Sequence, residues 1–189
     1  MTELERNMKQ EKKQIQDISN FFIKLEKFGK ENHMFNIPRE TAEFLFKLLK
    51  KRNPKSILEI GTSDGYSTCW MGLACPKAKI KTIERDEEKI KLARNNFKEF
   101  NLRNIEIIKG EALDVLKRLN KKFDFVFIDA TKKEYVKYLE VLQDKLNKDA
   151  IIVADNINSH KIKDYSLKAK DMFKSKTLNI GTGIEVSYV

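Results

Sequence analysis

Apolar and polar positions along this chain follow two periods. Residues 3–30 are highly charged, and their second half places Ile15, Ile18, Phe22, Leu25 and Phe28 at helical spacing, which predicts a helix with one packed face. Gly29 closes that pattern. A second helix starts near Pro38, buries Ala42, Leu45, Leu48 and Leu49, and stops at Asn53-Pro54. Beyond it, short apolar runs alternate with helical patterns. The runs Ile57–Ile60, Ile80–Ile83, Ile105–Ile108, Phe123–Ile128 and Ala150–Ala154 read as five strands. The intervening helices cover about Gly65–Ala74, the segment carrying Ile90, Ala93, Phe97 and Phe100, about Ala112–Leu119, and Lys132 to about Leu146. A last helix spans about Ile162–Lys174. Two final strands, about Thr177–Ile180 and Ile184–Val189, flank Gly181-Thr182-Gly183 as a tight hairpin. Helix-separated apolar strands predict an α/β fold, a mostly parallel sheet covered on both faces, with the terminal hairpin adding one antiparallel strand.

Composition narrows this picture modestly. The 189 residues suit one main domain, 34–189, preceded by a helical extension, 1–33. No run is long and apolar enough to span a membrane, and the N-terminus is too charged for a secretion signal. Cys69 and Cys75 have no Cys or His at metal-site spacing. They read as reduced thiols in a cytoplasmic protein. The formal charge of +10 sits mostly on the flanks. Residues 1–56 carry 13 Lys/Arg against 8 Asp/Glu, residues 57–155 carry 19 against 17, and residues 156–189 carry 6 against 3. A basic rim of this kind attracts a polyanion such as RNA, but no stretch interleaves basic residues with exposed aromatics, so a solvated lysine-rich surface is the default.

The chemistry gathers at the strand ends, because ligands of open parallel sheets bind beyond the carboxyl ends of the strands. Strand one ends in Gly61, strand two in Glu84, strand three in Gly110-Glu111, strand four in Asp129 and strand five in Asp155-Asn156. Any one of these is an ordinary cap or turn residue. Five together, with several acids among them, define a candidate site. The stretch Ser56–Thr68 runs from strand through a glycine turn to a helix start, with Ser63 or Asp64 as the expected N-cap. Glu84 can accept from both hydroxyls of a ribose, which serves nicotinamide cofactors and S-adenosylmethionine alike. The turn Gly61-Thr62-Ser63-Asp64-Gly65 lacks the middle glycine that a pyrophosphate demands, which favours S-adenosylmethionine. Asp129, Asp155 and Asn156 form a hard oxygen set suited to Mg²⁺, and Lys132, three residues past Asp129, is a candidate general base.

These blocks resemble the cation-dependent O-methyltransferase family that includes catechol and caffeoyl-CoA O-methyltransferases. ILEIGTSDGYST is similar to its cofactor loop, TIERDEEKIKLARNNF to its ribose-binding strand and helix, and FDFVFIDATKKEYVKYL and IIVADNI to its two metal blocks. TLNIGTGIEVSYV is similar to its closing hairpin. The resemblance implies a Rossmann-like class I methyltransferase fold with a seven-stranded sheet. It implies S-adenosyl-L-methionine and Mg²⁺ or another divalent cation as cofactors. It places Glu59, Gly61, Gly65, Tyr66 and Ser67 in the cofactor loop, Glu84 and Arg85 at the ribose, and Gly110, Glu111 and Ala112 on the adenine side. Asp129, Asp155 and Asn156 fall on the metal ligands, Asp129 also beside the cofactor, and Lys132 on the base. The implied acceptor is a small vicinal diol such as a catechol, or a hydroxylated uridine in tRNA. A non-catalytic S-adenosylmethionine-binding module and a nicotinamide dehydrogenase are the readings from other classes. A homodimer is expected by resemblance alone, with the N-terminal helix as its arm. The chain is shorter than typical relatives, and its brief lysine-rich segment after Asn156 leaves the acceptor-recognition loops unmapped.

Overall fold

The computed structural model describes the backbone from residue 3 and the side chains of residue 16 and of residue 18 onward. Ile15, the first member of the N-terminal apolar stripe, therefore lies outside the described side chains. Residues 1–36 and 37–189 form two compact units. The first holds helix α1 (Glu3–Glu31). Within it the rings of Phe21 and Phe22 meet edge to face at 5.6 Å. The helix passes Gly29 by two residues before Asn32 and Met34 close back onto Phe28 and Gly29.

The second unit begins with α2 (Arg39–Arg52), stopped by Asn53 in the left-handed conformation. Then come β1 (Ser56–Ile60), α3 (Tyr66–Ala74), β2 (Lys79–Glu84), α4 (Glu87–Glu99), β3 (Ile105–Lys109), α5 (Ala112–Arg118) and β4 (Phe123–Ile128). They are followed by α6 (Tyr135–Leu142), β5 (Leu146–Ala154), α7 (Lys163–Met172), β6 (Lys174–Leu178) and β7 (Ile184–Tyr188). The seven strands lie in the order β3-β2-β1-β4-β5-β7-β6. The first five run parallel, and β7 is antiparallel to both β5 and β6. This is a Rossmann-like class I arrangement.

Burial explains the order. β1 is buried at all five positions, and Phe123, Phe125 and Phe127 of β4 are at most 1% exposed. Each such ring contributes roughly 2–3 kcal/mol by leaving water, so β1 and β4, with the buried Ala150–Ala154 run of β5 beside them, take the centre. The edge strands carry charges outward, with Glu106 and Lys109 on β3 and Lys174 and Lys176 on β6 all exposed, which blocks edge pairing with other chains. At the amino end of the sheet, Asp124 accepts from the amides of Lys55 and Ser56 and from Asn147 Nδ2. Burial pushes its carboxyl up, but these hydrogen bonds outweigh that and hold it below the ordinary value.

Three expected elements differ. The helix expected over Lys132–Leu146 is broken into a 3₁₀ turn (Lys132–Glu134), α6, and a second 3₁₀ turn (Gln143–Lys145). Leu146 instead opens β5, four residues ahead of the expected start, with a register irregularity opposite Phe123–Phe125. The last helix ends at Met172, and β6 occupies Lys174–Leu178 rather than Thr177–Ile180. Pairing against β7 wins there over local helical preference.

Candidate active site

The ladder of the sheet continues one step past the strands and aligns their ends. Gly110 N donates to Glu84 O at 2.9 Å, Gly61 N to Ile83 O at 3.1 Å, Asp129 N to Ile60 O at 2.9 Å, and Asp155 N to Ile128 O at 3.0 Å. Gly110, Glu84, Gly61, Asp129 and Asp155 are thereby set along one carboxyl edge, as expected for a ligand site.

In the cofactor half, Gly61 has φ +102° and a Cβ there would lie 2.0 Å from the Asp129 carbonyl. The first loop rests directly on the end of β4, and only glycine allows that. Gly65, at φ +84°, is the N-cap of α3; the expected caps are displaced, with Asp64 Oδ1 accepting from Tyr66 N at 3.1 Å. Ser63 N donates to Glu84 Oε2 at 2.9 Å, while Arg85 N and Asp86 N donate to Oε1. Glu84 thus ties the first loop to the end of β2; its Oε1 already takes two donors, and Oε2 keeps a further lone pair for a ribose hydroxyl. Arg85 and Glu111, both exposed, form an ion pair at 3.2 Å that spans from β2 to the start of α5, beside Ala112.

Three residues of the expected cofactor loop have buried side chains. Glu59 is 0% exposed, Tyr66 1% and Ser67 7%. Glu59 Oε1 accepts from Ser67 Oγ at 2.5 Å, and Oε2 accepts from Thr82 Oγ1 at 2.6 Å and from Thr68 Oγ1. Burial pushes the Glu59 carboxyl up to about 7, against the pull of Ser67, Thr68 and Thr82 and with Asp129 adding to the rise. Glu59 and Ser67 thus form the underside of the cofactor loop. Thr62 Oγ1 and Thr82 Oγ1, 2.6 Å apart, extend the same network, and Asn96 of α4 donates to Asp64 O at 2.7 Å. Sequence reasoning did not single out these threonines or Asn96, since an isolated threonine or asparagine on a strand or helix carries no pattern.

In the other half, Lys132 Nζ is 2.6 Å from Asp129 Oδ1 and 5.5 Å from the Tyr135 ring centroid. Lys132 sits on a 3₁₀ turn rather than at the start of a long helix. Asp155 is 0% exposed; Thr182 Oγ1 donates to its Oδ1 at 2.7 Å, whereas Oδ2 is buried with no hydrogen-bond partner. Burial first, and the neighbouring Asp129 second, push the Asp155 carboxyl up to about 6, opposed by Thr182, the Asn156 amide and Lys132. Asn156 follows, half-buried, with φ +65°. Among the described residues no three His, Cys, Asp or Glu side chains gather as a metal group, so the set is two acids and an amide. An unpartnered buried carboxylate oxygen beside a second acid fits a hard divalent cation, which replaces the missing donor.

Cys69 and Cys75 are free and buried, and burial pushes both thiols up, so they are poor nucleophiles. No helix among the described residues is long and apolar enough to cross a membrane.

Solved structures share this architecture. A Staphylococcus aureus protein provisionally assigned as a caffeoyl-CoA O-methyltransferase superposes with a TM-score of 0.81 at 27% identity, covering 94% of this chain and 98% of that one. An O-methyltransferase from Bacillus cereus, solved with S-adenosylhomocysteine, gives 0.80 at 23% identity over 89% and 90% of the two chains. The fold is therefore that of class I methyltransferases. A family model described as O-methyltransferase matches residues 8–179, and the chain belongs to that family. A catechol O-methyltransferase of Niastella koreensis is 36% identical over 122 residues, 61% of this chain and 55% of the relative. The chain spans about half the length of the curated relatives it matches.

Proposed function

We propose that the chain is an S-adenosylmethionine-dependent, divalent-metal-dependent O-methyltransferase whose acceptor presents two neighbouring oxygens, as a catechol does. One observation carries the metal part: the buried, half-satisfied Asp155 carboxylate beside Asp129 and Lys132. S-adenosylmethionine, when bound, supplies a methyl group on an electron-poor sulfonium. A divalent cation, held by Asp129, Asp155 and Asn156, supplies charge that favours the ionised acceptor oxygen.

The chain's own residues do the remaining work. Glu84 accepts a ribose hydroxyl at Oε2, and the first loop, braced from below by Glu59, Thr68 and Thr82, brings backbone close to the cofactor. Lys132 Nζ is the group placed to take the acceptor proton, and its tether to Asp129 keeps it beside the acids. Holding both reactants on one strand edge supplies much of the acceleration.

The test is transfer of labelled methyl from S-adenosylmethionine to a catechol, with Mg²⁺ and with EDTA. Mg²⁺-dependent transfer is the expected result, falling at least 100-fold in EDTA. A hydroxylated uridine in RNA is the second reading. It is favoured by a pocket of about 400 Å³ that begins just past Asn156, at Ile157 and Asn158, and is rimmed by Lys161, Lys163 and Lys170. Transfer to hydroxyl-modified tRNA but not to catechol, with a steep salt dependence, would select it. Cofactor binding with no transfer to either acceptor would leave a binding module and contradict the enzyme reading.

A further inference from the structure

We propose that Thr182, in the turn between β6 and β7, is a positioning residue for the cation site: its hydroxyl fixes which oxygen of Asp155 faces the metal. The inference rests on the divalent-cation reading above and goes beyond it by bringing the closing hairpin into the site.

Thr182 holds the ligand segment from both sides. Its Oγ1 donates to Asp155 Oδ1 at 2.7 Å. Its carbonyl accepts from Asn158 N at 3.2 Å and from Ser159 N at 3.1 Å. Beside it, Gly183 O accepts from Ile157 N at 2.8 Å, and Asn158 Nδ2 donates to Asn179 Oδ1 at 2.9 Å. The turn is itself closed by Gly183 N on Ile180 O at 2.9 Å. The stretch carrying Asp155 and Asn156 is thus clasped by residues 179–183, although Thr182 is 27 residues away in sequence.

The chemistry follows from the donor count. A buried carboxylate needs donors for both oxygens. Asp155 Oδ1 has the Thr182 hydroxyl, and Oδ2 has none. Thr182 is β-branched, so its χ1 is stiff and its hydroxyl is held in one direction. Engaging Oδ1 stops the carboxylate from rotating and reserves Oδ2 for the cation. Outer partners of this kind orient metal ligands, and their loss typically lowers metal affinity about 10- to 100-fold.

The experiment titrates Mn²⁺ into wild type, Thr182→Val and Thr182→Ser, reading free ion by its electron paramagnetic resonance signal. S-adenosylmethionine affinity by calorimetry is the control. Valine keeps the shape and removes the hydroxyl; serine keeps the hydroxyl. The expected result is Mn²⁺ affinity about 10- to 100-fold weaker in Thr182→Val, restored in Thr182→Ser, with cofactor affinity unchanged in both. A purely structural hydroxyl would lower thermal stability and leave Mn²⁺ affinity within about threefold of wild type; that result overturns the proposal. If Thr182→Val does not fold, Thr182→Ala is read by the same criteria. Absence of Mn²⁺ binding in wild type would instead overturn the cation reading itself, so the two failures are distinguishable.

Discussion

Two carboxylates lie under the carboxyl edge of the sheet, both fully enclosed, and they are provisioned differently. Glu59, on β1, has three hydroxyl donors spread over both oxygens. Asp155, just past β5, has one hydroxyl on one oxygen and nothing on the other. Another buried acid, Glu185 on β7, repeats the first pattern, with Ser166, Ser175 and Thr177 donating to it. Burying an ionisable group without partners is costly. Of the four fully buried acids among the described residues, Glu59, Asp64, Asp155 and Glu185, Asp155 is the one with a buried oxygen left without a donor, and that marks it as functional. Glu59 and Glu185 are internal braces. Asp155 is built for a ligand that brings its own positive charge.

That contrast can be broken from either side. The largest effect is expected from Glu59→Ala, which strands three hydroxyls and opens a cavity; it should cost about 3–5 kcal/mol of stability near pH 5. The folded-state value for Glu59 is about 7, above the 4.5 of the free group. The stability held by the protonated form is therefore fully present below about pH 4.5 and is lost as pH rises through about 7. The gap between wild type and Glu59→Ala should accordingly narrow by about 2–3 kcal/mol between pH 5 and pH 8, measured by urea unfolding of the metal-free proteins. A gap that widens with pH would show that the acid is held ionised. A smaller effect is expected from Glu84→Ala. It removes the acceptor for Ser63 N and a ribose hydroxyl, and should weaken S-adenosylmethionine about 10- to 100-fold by calorimetry. Unchanged affinity would detach Glu84 from the cofactor half.

Much of this molecule is legible in its sequence, for physical reasons that also explain the gaps. The central strands are mostly apolar because both their faces are covered, and each apolar run stops at a polar or glycine residue. That is why Gly61, Glu84, Gly110, Asp129 and Asp155 could be placed on one edge from spacing alone, and the ladder sets them there. β6 was misplaced because KSKTL has polar residues on both faces: Lys174 and Lys176 point to water, while Ser175 and Thr177 serve Glu185. No apolar alternation marks such a strand. The inward turn of Glu59 and the reach of Thr182 to Asp155 are products of tertiary pairing across 23 and 27 residues. An acid in a cofactor motif and a threonine between two glycines do not announce such partners. The break at Lys132–Glu134 was hidden as well, since Lys132 and Tyr135 fit a helical pattern that the tether from Lys132 to Asp129 overrides.

The most direct test of the central distinction is Mn²⁺ affinity of two matched amide variants, Asp155→Asn and Glu59→Gln. If Asp155 is the acid left open for a cation and Glu59 is an internal brace, Asp155→Asn loses Mn²⁺ binding by at least about 100-fold. Glu59→Gln should stay within a few-fold of wild type. Equal losses in both variants, or Mn²⁺ binding that survives Asp155→Asn intact, would contradict the account.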